Sequence, residues 1–304
     1  MMVRREVQLL VFVLLRLAQP FAILSSSARN NNKFATTSTR SLLAASTAVS
    51  PEAVSSSTSV EKHRLLESIS RFKSVTARDG VVPIDFGVTG GELESQDRTP
   101  RDLLTSGAFR EVSKDVGDAA DAVKEAIDVL ATKESLAVDA TKFFGTREGA
   151  LCPLHGGWRS LWTTSADATF SKTSKRGDAL VGNIVDATKG TITNVITFLA
   201  DDRKIDQLRV AIKATPVSKT KLRLTFRSAT LKFRKRFLGL FKTLTIPVPA
   251  VTFTRIIFFF RRKKTIPKPP FFEVLYLDHD LRIQRTGDGN LFVQQKISPN
   301  FVGF

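Results

Sequence analysis

Disulfides are excluded first: Cys152 is the single cysteine in 304 residues, so a packed core has to hold the fold. Cys152-Pro-Leu-His155 offers one pair of metal ligands, and no second pair follows to complete a site. The apolar share of 42% suits a globular chain and is too low for a polytopic membrane protein. A phosphate-binding P-loop, a G-x-S-x-G elbow and an H-E-x-x-H pair are all missing, so the common nucleotide, acyl-transfer and zinc-hydrolase signatures are not there to be used. The most informative shortage is local. Residues 207–272 contain 17 Lys and Arg and no Asp or Glu, leaving 29 bases against 29 acids in the rest of the chain. The whole net charge of +17 therefore belongs to one stretch, which predicts an anionic partner, either a membrane surface or a nucleic acid.

What is present begins with an address. Arg4 and Arg5 precede a short apolar run at 9–15, far below the roughly 20 residues of a spanning helix. Residues 25–51 are rich in Ser, Thr, Ala and Asn, with Arg29, Lys33 and Arg40 and no acid, the composition of a plastid transit peptide. Residues 1–60 are thus expected to be a two-part leader, and the location a plastid. A plain secretory signal followed by a linker is the alternative.

A helical region is expected over 61–150. Leu65, Leu66, Ile69 and Phe72 give one amphipathic helix over 61–73. Ser113 as N-cap, Asp115 in the first turn and the stripe Val116, Ala119, Ala120, Val123, Ile127 and Leu130 give a second over 113–133, its stripe a packing face. Glycine and proline between them read as irregular structure. From 151 to 297 the pattern is β. Strands are expected at 158–165, 179–186, 191–199, 207–215, 221–233, 251–260, 271–276, 281–285 and 291–296, followed by a tail at 298–304. So many successive strands without an intervening helix favour an antiparallel barrel or sandwich, and closure removes exposed sheet edges.

Residues 276–293 read as two strands around the turn Thr286-Gly-Asp-Gly-Asn290, with Leu281, Ile283 and Arg285 alternating against Arg282 and Gln284. Asp278 and Asp280, two apart, suit either an acid/base pair or ion pairs to Arg282 or Arg285. The combination Y-L-D-x-D-L-R-I-x-R, a Gly-rich turn and L-F-V resembles the C-terminal signature of the fibrillins, the plastid lipid-associated proteins. Gly157-Trp158-Arg159-Ser160-Leu161-Trp162-Thr163-Thr164-Ser165 is similar to the opening of the same domain, with Trp162 where Tyr is commoner. The resemblance implies a mainly β, lipocalin-like antiparallel barrel with N-terminal amphipathic helices, located at thylakoids or lipid globules. It also implies a lipophilic ligand such as a quinone, carotenoid or fatty-acid derivative, no shared catalytic residues and no cofactor. In such barrels an Arg lies across the first-strand Trp. Here Arg282 or Arg285 would stack on Trp158, with Trp162, Tyr276 and Asp278 near the ligand and the barrel closure.

In the basic stretch, Lys221, Arg223 and Arg227 alternate with Leu222, Leu224 and Phe226, and Lys232 and Arg234 with Leu231 and Phe233. Lys232, Arg234, Lys235, Arg236, Phe237 and Phe241, and the run Arg261, Arg262, Lys263 and Lys264 after five apolar residues, are expected to meet anionic lipid headgroups, with an apolar tip at 237–241 dipping in. Aromatics that alternate away from the charges fit poorly with base stacking, so nucleic acid is not the expected partner. The expected function is a non-enzymatic lipid binder that docks on lipid surfaces, and a coat protein without a bound ligand is the alternative.

Overall fold

The computed structural model describes residues 51–79, 114–133, 139–165, 178–201, 204–237, 240–247, 270–287 and 289–297. The leader up to residue 50, the strand expected at 251–260 and the tail lie outside them.

Two helices form where helical periodicity was read. Helix α1, Pro51–Arg78, extends beyond 61–73 at both ends and buries Leu65 and Ile69. Helix α2, Lys114–Lys133, carries Asp115 in its first turn, and its six-residue apolar stripe is buried throughout.

Nine strands follow among the described residues: β1 Gly156–Thr163, β2 Ala179–Asp186, β3 Thr191–Phe198, β4 Ile205–Pro216, β5 Lys221–Phe237, β6 Phe241–Pro247, β7 Phe271–Leu277, β8 Leu281–Thr286 and β9 Leu291–Ile297. All pairings are antiparallel, and the order is β4-β3-β2-β1-β9-β8-β7-β5-β6 with β4 also pairing β5. Eight strands therefore close into a ring through the long β5. Its first residues, Lys221, Arg223 and Leu222 between them, pair β7, while Ser228 to Lys232 pair β6. Residues 241–247, where no strand was expected, pair along the far half of β5 as β6.

Irregularities decide which side chains face inward. In β1 a register shift between Ser160 and Trp162 puts Trp158 inside the ring and Trp162 outside, although an even spacing would put both on one face. A matching shift in β7 keeps Val274 inside and turns Tyr276 outward. In β5 the pairing slips one residue between Phe226 and Ser228, which explains why burial changes phase from Leu222, Leu224 and Phe226 to Ala229, Leu231 and Phe233.

Two apolar clusters result. One fills the ring, with Leu208, Ile212, Leu222, Leu224, Leu231 and Phe272 among its members. The other lies between the outer faces of β1, β7, β8 and β9 and the two helices, where Trp162, Tyr276, Ile283 and Val293 meet Leu65, Ile69, Val123 and Ile127. Phe72 meets Trp162 edge-on, with centroids 6.2 Å apart. Residues 139–155 contribute Ala140, Phe144, Cys152 and Leu154 to the inner cluster. There a 3-10 turn, Gly149–Leu151, comes so close to the β2–β3 connection that a Cβ on Gly149 would lie 2.5 Å from Ala187 backbone atoms.

Candidate functional site

The interior of the ring carries a polar belt that strand register assembles. Trp158 stands opposite Asn183 on one side and Lys296 on the other. Asn183 faces Asn194, and Arg282 faces Gln294. The guanidinium of Arg282 lies 4.7 Å from the Trp158 ring centroid and 5.9 Å from that of Phe272. The Lys296 ammonium is 5.3 Å from the same indole, whose N–H donates to the Leu154 carbonyl at 2.9 Å. Of the two arginines expected near Trp158, Arg282 makes the stack. Arg285 projects outward to Glu273 at 3.2 Å.

Arg282 is 1% exposed, and its hydrogen-bond partners among the described residues are neutral. Its Nε donates to Gln294 Oε1 at 3.0 Å, and its Nη2 to the same oxygen and to Asn183 Oδ1 at 2.8 Å. Asn183 Oδ1 also accepts from Gln294 Nε2 at 2.5 Å, and Asn183 Nδ2 donates to Asn194 Oδ1 at 2.6 Å. Burial alone pushes the guanidinium pKa down to about 9, so it remains charged at neutral pH. Burial is also the main force lowering the Lys296 pKa, and the nearby Arg282 charge adds to it. Three polar atoms of this belt have no partner among the described residues: Arg282 Nη1, Asn194 Nδ2 and Gln284 Oε1. Asn183, Asn194, Arg282 and Gln284 form the polar side of a cavity of about 10 Å³, roughly the space one water needs. Ile192, Ile212, Leu224 and Phe272 form its apolar side.

The other residues expected beside this site are elsewhere. Trp162 and Tyr276 lie on the outer wall beneath the helices. Asp278 and Asp280 belong to the β7–β8 turn and do not pair with Arg282 or Arg285. The reason is that β8 turns Arg282 into the ring, while α1 brings Lys62 to the turn. Lys62 Nζ contacts Asp278 at 2.8 Å and also Asp280. Asp278 further accepts from the Tyr276 hydroxyl at 2.7 Å and from the backbone N–H groups of Asp280 and Leu281 at 2.9 and 2.6 Å. Burial raises the Asp278 pKa, but the bonds from Lys62, Tyr276 and Asp280 outweigh it and hold the carboxyl well below its usual range. His279 is exposed, 3.6 Å from Asp280.

The outer wall of β4 and β5 has no helix against it in either apolar cluster. It presents Arg209, Lys213, Arg223 and Arg227, all exposed and without an acidic partner among the described residues. Nearer β6 the expected lipid-contact residues divide. Lys235 and Arg236 are exposed. Lys232 pairs Asp206 at 2.9 Å, and Arg234 pairs Asp201 at 3.1 Å and donates to the Phe198 carbonyl at 2.7 Å. Phe241 packs on Phe233, and Phe237 pairs it across the β5–β6 turn, where Leu240 is exposed. Arg261, Arg262, Lys263 and Lys264 lie outside the described residues.

Sequence reasoning missed Lys62, Lys296, Asn183, Asn194, Gln284 and Gln294. A signal existed for Asn183, a lone amide within Leu-Val-Gly-Asn-Ile-Val. Lys62 was legible only as one more charge on a helix.

The family model of PAP_fibrillin matches residues 118–295, more than half of the chain. No curated protein and no solved structure matches it. The chain belongs to the PAP_fibrillin family, the plastid lipid-associated proteins.

Proposed function

We propose that this fibrillin rests on a thylakoid or lipid-globule surface, with the bare basic wall of β4 and β5 toward anionic headgroups. The observation that carries this is the cluster Arg209, Lys213, Arg223 and Arg227, exposed on neighbouring strands with no acid among the described residues to neutralise it. A cation beside an anionic membrane contributes about 1 kcal/mol, so four give about 4 kcal/mol at low salt, enough for reversible attachment. Membership of a plastid lipid-associated family supports the compartment and the lipid partner.

A lipocalin-like barrel holding a lipophilic molecule is the second element of the reading. It is favoured by one observation, the polar atoms left without partners at the cavity inside the closed ring. The small size of that cavity favours the alternative, a coat protein with nothing bound. We assign no catalytic step.

Flotation of the protein without its leader with vesicles, with and without anionic lipid, tests the docking. Binding that needs anionic lipid and falls with added salt is expected. Equal, salt-insensitive binding to both vesicle types overturns it.

A further inference from the structure

Arg282 is a positive charge inside the ring with no acid beside it among the described residues, and Lys296 is a second cation on the same indole. Folded proteins usually pair a buried charge with an opposite one, because an isolated ion loses its hydration without recompense. Here the guanidinium meets two amide oxygens and two aromatic faces, and its Nη1 is left over. The leftover Nη1 of Arg282 and Nδ2 of Asn194 are both donors that belong to the lining of one cavity. Gln284, another polar side chain there, can present either end of its amide, as acceptor or as donor. Two donors, a net positive charge and a reversible amide call for an acceptor carrying negative charge.

The space narrows the class. At about 10 Å³ the cavity holds one water-sized atom, so a head group enters it with a single oxygen. A flat carboxylate then needs the walls to move less than a tetrahedral phosphate with four oxygens does. The opposite side of the cavity is Ile192, Ile212 and Leu224, which can flank hydrocarbon and offer nothing to a second polar group. We propose that the Arg282 cavity is the head-group site for a lipophilic monocarboxylate, held by Arg282 Nη1 and Asn194 Nδ2, with its hydrocarbon chain parting Ile192, Ile212 and Leu224. The site selects charged acyl chains over neutral lipophiles. It rests on the second element of the proposed function, an occupied ring, and not on surface docking.

The test uses decanoate, decanol and decyl phosphate, titrated calorimetrically and by indole emission into protein bearing Trp162→Phe, so that Trp158 alone reports. Saturable decanoate binding that shifts Trp158 emission is expected, with decanol and decyl phosphate weaker by roughly tenfold or more. Arg282→Gln should remove the preference for decanoate. Because that variant can lose stability for packing reasons, Asn194→Asp is the second arm. It places a carboxylate beside the guanidinium, and should raise the melting temperature while abolishing decanoate binding. Decanol binding as tightly as decanoate overturns the carboxylate assignment and leaves an occupied ring standing. Tighter binding of decyl phosphate overturns the size argument. Failure of all three to bind overturns both, with vesicle flotation still reading the docking separately. Unchanged decanoate affinity in Asn194→Asp also overturns the assignment.

Discussion

Strands β8 and β5 carry the same alternation of polar and apolar side chains and use it in opposite senses. In β5, Leu222, Leu224 and Phe226 point into the ring and Arg223 and Arg227 point out. In β8, Leu281 and Ile283 point out and Arg282 and Gln284 point in. The difference comes from what lies against each wall. Helices α1 and α2 cover β8, so its apolar side can be outside and still be dry. Nothing described covers β5 beside β4, so its apolar side has to be inside. Period-2 alternation therefore identifies a strand with two unlike faces, and the neighbouring layer decides which face is interior.

The largest expected effect comes from charging the covered wall. Ile283 is fully buried between ring and helices. Ile283→Asp would bury an unpaired carboxylate where a core side chain was, an effect of about 4 kcal/mol or more. Loss of cooperative thermal unfolding is expected. A variant that melts near the parent temperature would mean that the helices do not seal β8. Next comes Gly149→Ala, which sharpens the comparison from the ring's side. Its Cβ would meet backbone of Ala187 at 2.5 Å, and backbone cannot swing away as a side-chain tip can. About 1–3 kcal/mol of destabilisation is expected in denaturant melts, without change in the near-UV signal of the helix-packed Trp162.

How much of this was legible depended on range. Helix α2 was readable in full because its stripe of Val116 to Leu130 is a local pattern. Every described strand but β6 was readable for the same reason, and both phases of β5 were visible in Arg223 and Lys232 although the bulge between them was not. The Arg282–Trp158 stack was anticipated through family resemblance, with Arg285 as an equal candidate that the pleat then turned outward. What could not be read were partners set by tertiary packing. Asp278 and Asp280 were assigned to arginines nearby in sequence, whereas their partner Lys62 lies more than 200 residues away on α1. The two bulges that separate Trp158 from Trp162 and Val274 from Tyr276 are invisible to alternation, since an inserted residue changes phase without changing composition.

Lys62 also gives the covered wall a pH signature. Asp278 is held below its unfolded pKa of about 3.9. Its contribution is therefore complete above that value and is lost as pH falls through the folded pKa. Burial lowers the Lys62 pKa, yet its bonds to Asp278 and Asp280 raise it further, leaving it above 10.5. Its contribution is complete below 10.5 and is lost as pH rises through the folded value. The clip thus stabilises the helices on the ring across the neutral range and weakens at both extremes. Lys62→Met should cost about 1–3 kcal/mol at pH 7 and flatten the acid limb of the stability profile, measured by melting temperature against pH. An acid limb as steep as the parent's would place the titrating carboxylates elsewhere.

The smallest effect on stability, and the most telling one, is expected on the bare wall. Arg223→Glu with Arg227→Glu reverses two exposed charges whose side chains have no acidic partner among the described residues. Surface changes of this kind usually stay within about 0.5 kcal/mol. Reversing them also puts acids near Lys213, across the β4–β5 pairing, so the folded state loses some repulsion. The melting temperature should hardly move. Attachment to anionic vesicles, in contrast, changes by the difference between attraction and repulsion at two positions, about 4 kcal/mol at low salt, and the difference should fade as salt is added. Destabilisation without loss of attachment would reverse the assignment of the two walls. It would make β5 a packing face for segments outside the described residues and leave the lipid contact to another surface.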